Sequence, residues 1–143
     1  MAEPRSNSEI ASALRPAVLR LSRRLRQMRD ESLDLSATQL GAMGVLFRGG
    51  EMPIGEVAAQ EKVQPPSMTR TVNCLVDAGL VTRTAGDTDR RQSKVKLTET
   101  GRAILLADRR RRDAWLTTRV AELSAEEKAV LRQAIVILEK VNG

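Results

Sequence analysis

Two sets of polar side chains in this chain have the types and spacing to contact a polyanion. The first is Asp89-Arg90-Arg91-Gln92-Ser93-Lys94, an acid leading a cluster of bases and hydrogen-bond donors. Guanidinium groups grip phosphate and guanine through paired N–H donors and enter narrow minor grooves. In an extended stretch, neighbouring side chains point to opposite faces. Arg90 and Arg91 then cannot enter one groove together, whereas Asp89 and Arg91 share a face. A carboxylate facing DNA is costly unless it braces that guanidinium. The spacing therefore assigns minor-groove insertion to Arg91, orientation to Asp89 and phosphate contact to Arg90.

The second set lies upstream. Removing the apolar positions Met68, Val72, Leu75 and Val76 from a helical stretch leaves Gln64, Ser67, Arg70, Thr71, Asn73 and Asp77 as its outward face. Base-reading helices use their N-terminal half, which ranks Gln64, Ser67, Arg70 and Thr71 first, with Pro65 and Thr69 in the same stretch. A two-bond contact from Arg70 to guanine would be worth roughly 1–3 kcal/mol of discrimination. The plain alternative is a solvent-facing arginine; the position of Arg70 on this helix favours contact. Ser36, Thr38 and Gln39, at the start of an earlier helix, and Arg83 are further candidates for phosphate contact.

Periodicity supplies the elements that would hold these groups. Val95 and Leu97 alternate with Lys94 and Lys96, and Leu80-Val81-Thr82-Arg83-Thr84 forms a matching run. Both read as half-buried strands. Ala85-Gly86-Asp87-Thr88 between them is rich in turn formers, so the pair predicts a β-hairpin with a cationic tip. The helix before it begins with Pro65 and Pro66, where a missing N–H costs nothing, and closes at Gly79. A short helix carrying Ile54, Val57 and Ala58 ends near Glu61, and Val63-Gln64 makes the turn. A capping box at Ser36-Ala37-Thr38-Gln39 opens a helix with Leu40, Met43, Leu46 and Phe47 as its stripe, ended by Gly49-Gly50. Thr98 caps a fifth helix with Gly101 in its first turn. A second box, Ser124-Ala125-Glu126-Glu127, opens an apolar last helix. Helix, turn, helix and basic hairpin make a winged helix-turn-helix, an α+β fold that is mostly α.

Residues 1–7 read as a polar, frayed end. Leu14, Val18, Leu21, Leu25 and Met28 then form a narrow helical seam. Pro16 interrupts it, so the helix starts there or starts near Ser8 and kinks. This seam and the Val130–Val141 face are more apolar than a 15.7 kDa chain readily covers. They predict N- and C-terminal dimerisation helices (8–30 and 101–142) flanking a DNA-binding part (36–98) within a single domain 1–143; packing on each other within one chain is the alternative.

The net charge of +6 is local. Residues 83–112 hold ten Arg or Lys against four acids, and the rest of the chain balances. A confined basic patch fits a nucleic-acid partner, and a solvated face is the plain alternative. Arg109 to Arg112 circle a helix axis, which predicts a solvated face with partners such as Asp108–Arg112 and Arg109–Asp113. The single cysteine excludes an internal disulfide and fits a reducing cytoplasm. Cys74 lies just off the apolar stripe and reads as a small buried residue. A redox-sensing thiol is the alternative, with Arg70 one turn away as the nearest cation. No histidine is present, which removes the commonest general base and metal ligand. With no phosphate loop or metal cluster, neither an enzyme nor a metal or cofactor site is expected. No apolar run has the length of a membrane span and no secretory leader is seen, so a cytoplasmic location is expected.

From about residue 8 to 142 the chain resembles the MarR family of bacterial transcription regulators. Asp89-x-Arg91-x-x-x-Val95-x-Leu97-Thr98 followed by Gly101 is similar to that family's wing motif. Pro66-Ser67-Met68-Thr69-Arg70 resembles the start of its recognition helix, and Leu75-Val76-Asp77-Ala78-Gly79-Leu80-Val81 its close into the wing. The resemblance implies a winged-helix homodimer with interlocked terminal helices. It also implies binding to a pseudo-palindrome, usually as a repressor relieved by a phenolic or lipophilic ligand or by oxidation. The first helix here has no cysteine, so the family's peroxide-sensing arrangement is absent. Phe47 and Trp115 are the only aromatics. The expected partners are double-stranded DNA and a second copy, with any small-molecule effector unidentified. A non-specific architectural DNA binder is the competing expectation.

Overall fold

Three helices start at a serine followed three residues later by Glu or Gln. Ser6, Ser36 and Ser124 accept the backbone N–H of Glu9, Gln39 and Glu127, each at 3.1 Å, and those side chains accept the serine's own N–H in return. In the computed structural model, which describes residue 3 and residues 5–28, 33–84 and 93–143, these boxes open α1 (Asn7–Gln27), α2 (Ala37–Gly49) and α6 (Ala125–Asn142). The Ser6 box was not anticipated. It ties the chain down at a point expected to fray, and Pro16 lies inside a helix that begins well before it. Bonds from the backbone N–H groups of Ser6 and Arg5 and from the Ser6 side chain hold the Glu9 carboxyl below the ordinary glutamate range.

The remaining elements are β1 (Met52–Pro53), α3 (Ile54–Glu61), α4 (Pro65–Asp77), β2 (Val81–Thr84), β3 (Lys94–Leu97) and α5 (Glu99–Ala121). The sheet runs β1-β3-β2, antiparallel throughout, with Met52 opposite Val95 and Val81 opposite Leu97. β1 escaped the sequence reading because two residues are too few to show alternation.

The chain divides into two units, Arg29–Arg110 and Met1–Met28 with Arg111–Gly143. The first holds the buried core: Met43, Val45 and Leu46 of α2, Val57 and Ala58 of α3, Met68, Val72 and Leu75 of α4, and Val81 and Val95 of the hairpin. Leu105 adds the start of α5. In the second unit neither α1 nor α6 has a buried residue. Val18, Leu21, Val130, Val136, Ile137 and Val141 are all exposed, Val141 at 69%.

Candidate nucleic-acid interface

α4 is fixed by its apolar side. Met68, Val72 and Leu75 are fully buried and Val76 is half-buried. A helix turns about 100° per residue, so the residues between them point outward. Gln64, Pro65, Ser67, Thr69 and Arg70 are exposed, and Thr71 is half-buried beside Val72. Gln64 is the N-cap residue, with Pro65 and Pro66 in the first turn. The Thr69 hydroxyl donates to the Pro65 carbonyl at 3.0 Å, so its proton is used within the helix.

α3 hands over to α4 through Lys62, which takes the left-handed conformation at φ 53°. At its other end α4 closes on Gly79, φ 75°, where the N–H of Leu80 returns to the Leu75 carbonyl at 2.9 Å. Thr98 then joins three elements. Its hydroxyl donates to the Gly79 carbonyl at 2.7 Å and accepts from Gly101 N–H at 3.0 Å, while its own N–H bonds the Leu80 carbonyl at 3.1 Å. A Cβ on Gly101 would lie 2.1 Å from that Leu80 carbonyl oxygen. Only glycine permits this approach, which brings the first turn of α5 against the backbone between α4 and β2.

In the hairpin, Val95 is buried and Leu97 half-buried, while Lys94 and Lys96 are exposed, as the alternation requires. Ser93 is half-buried. Asp89, Arg90, Arg91 and Gln92 lie outside the described residues. Arg83 donates to the side-chain carbonyl of Asn73 on α4, and Thr84 donates to the Glu51 carboxylate. Ser36 and Gln39 each spend one polar atom in their capping box, and Thr38 and Gln39 are half-buried.

Three expectations need correction. Cys74 is exposed rather than buried: two residues past Val72 it has turned about 200° away from the core. Asp108 is 2% exposed, not on a solvated face. Arg109 is half-buried, its guanidinium 4.8 Å from the centre of the Phe47 ring, and Arg102 stands at the same distance. The aromatic face attracts both cations and draws Arg109 out of the run. Nothing in charge spacing along α5 signals a partner on α2.

Among the described residues no group of three or more His, Cys, Asp or Glu is arranged to hold a metal ion, and no helix is long and apolar enough to cross a membrane. The MarR family model matches residues 35–93, which run from just before the cap of α2 to the residue before β3. An HTH-type transcriptional regulator of Mycobacterium bovis is 43% identical over 129 residues, covering 90% of each chain. The chain belongs to the MarR family. A MarR family protein from Bacillus stearothermophilus has the same fold, with a TM-score of 0.82 at 22% identity over 98% of this chain and 97% of that one. A variant of MepR from Staphylococcus aureus, solved bound to an oligodeoxyribonucleotide, superposes with a TM-score of 0.67 at 19% identity, covering 93% of this chain and 97% of the other.

Proposed function

We propose that this MarR-family chain is a sequence-specific transcription regulator, a repressor acting in the cytoplasm as a homodimer on a pseudo-palindromic duplex. The observation that carries the reading is the exposed, donor-bearing N-terminal half of α4, with Gln64, Ser67 and Arg70 opposite the buried Met68, Val72 and Leu75. That face suits a major groove, where base edges are distinguishable. The oligonucleotide held by MepR, a protein of the same fold, supports DNA as the partner.

In this reading the hairpin flanks the groove that α4 enters. Arg91 inserts into the adjacent minor groove, Asp89 orients it, and Arg90, Gln92, Ser93 and Lys94 line the tip. Ser36, Thr38, Gln39 and Arg83 contact phosphate and set the register. The uncovered apolar faces of α1 and α6 support the homodimer, since a folded chain gains by removing such surface from water. So does an open, mostly apolar hollow of about 540 Å3 along α5, lined by Leu116, Val120 and Ala121 with Asp113 and Thr117, surface that a second copy would cover.

Footprinting on a library of genomic fragments tests the reading. Specific binding gives short protected sites with twofold symmetry that survive competitor DNA. Uniform protection, with a steep loss of affinity in salt and no preferred site, would make the protein an architectural binder instead.

A further inference from the structure

The turn between α3 and α4 has the backbone of a glycine turn but holds a lysine. The N–H of Val63 bonds the Ala58 carbonyl at 3.0 Å and that of Lys62 bonds the Ala59 carbonyl at 3.2 Å, the pair of bonds that closes a helix on a left-handed residue. That residue is Lys62, at φ 53°. Glycine adopts this conformation freely, whereas a residue with a Cβ is strained in it. A strained residue that persists points to a use for its side chain. Lys62 is exposed and, among the described residues, makes no ion pair. The neighbouring acid, Glu61, is half-buried, with its carboxylate against Gly41 of α2, where a Cβ would collide with it.

The start of α4 has a complementary deficit. A helix N-terminus ordinarily offers an anion several backbone N–H donors. Here the first two helical positions are Pro65 and Pro66, which carry none, so of the first three only Ser67 keeps an N–H. Charge for a phosphate at this end of α4 must come from side chains. Lys62 precedes Gln64 by two residues, at most about 7 Å along the chain. The major groove is about 12 Å wide, so with Gln64 at the base edges a lysine this close reaches the phosphates along the groove wall on its flexible stem. We propose that Lys62 is a phosphate-contacting residue, held in the left-handed turn at the expense of stability, whose ammonium supplies the anchoring that the Pro65-Pro66 start removes from the backbone. The inference rests on the reading of α4 as the helix that enters the groove.

Affinity measured against salt concentration tests it, on the duplex that wild type selects from a randomised library. Each phosphate contact contributes about 0.9 to the slope of log affinity against log salt. A dimer carries two copies of Lys62. Lys62→Met should therefore flatten the slope by about two units and weaken binding evenly across sequences, with the selected motif unchanged. Lys62→Gly should do the same while unfolding at a denaturant midpoint at or above that of wild type, because glycine relieves the turn. Lys62→Arg should keep the wild-type slope. Lys140→Met removes the same charge from α6 and should also keep it. A wild-type slope in Lys62→Met, or an equal flattening in Lys140→Met, overturns the inference alone. So does a lowered midpoint in Lys62→Gly, which would mark the lysine as a structural cap of α3. A wild-type protein that selects no motif overturns the reading of α4 and this inference with it.

Discussion

Single side chains here owe their roles to what lies one turn or one strand away. In the proposed reading Asp89 orients Arg91 in the minor groove, and Arg91→Ala is expected to weaken binding to every site by at least ~1 kcal/mol, the scale of one charge-assisted contact. Titration of a fixed duplex checks it, and unchanged affinity would put the tip off the DNA. Gly101 is set by the Leu80 carbonyl oxygen, 2.1 Å from where a Cβ would sit. Gly101→Ala should therefore destabilise the fold by roughly 1–3 kcal/mol, as overpacking does; a denaturant midpoint equal to wild type would show that α5 shifts freely. The need for glycine at 101 was visible only as a motif, because its cause is a backbone atom twenty-one residues away in sequence. Arg109 and Cys74 misled for a related reason. The partner of Arg109, Phe47, lies on another helix, and Cys74 sits close enough to the apolar stripe that composition favoured burial over angle.

The elements were more legible than their contacts. Boxes at Ser36 and Ser124, the two prolines opening α4, and Gly50 and Gly79 at positive φ each act within a few residues, so the sequence carries them directly. The β2–β3 alternation carried strand pairing and facing for the same reason. β1 depends on Met52 meeting Val95 across more than forty residues, and nothing local marks it. The DNA-reading candidates on α4 followed by subtraction from the core. The bond that ties Arg83 to Asn73 did not, since a strand pattern that pairs Arg83 with Val81 on one face gives no sign that the arginine overhangs the core edge toward α4.

Two features bear on the proposed dimer: the candidate base-reading face of α4 and the terminal helices, whose apolar side chains are left exposed among the described residues. Ile137 is 58% exposed, so Ile137→Glu should leave the fold of one chain intact. In a dimer it places like charges in the seam, a cost of several kcal/mol, and should weaken self-association by at least ~100-fold. Light scattering at micromolar concentration should then report a monomer with little affinity for the operator. A variant that still scatters as a dimer would move the interface away from α6. Base reading by α4 is tested most directly by selecting sites from a randomised duplex library with wild type and Arg70→Ala. A twofold dimer presents its helices about one DNA turn apart. The variant should lose preference at two dyad-related positions with about that spacing, and keep it elsewhere. A phosphate contact would instead lower affinity evenly and flatten the salt dependence by about one unit. Recovery of the same motif by both proteins, with equal information at every position, would contradict base reading by Arg70 and move specificity to Gln64, Ser67 or the hairpin.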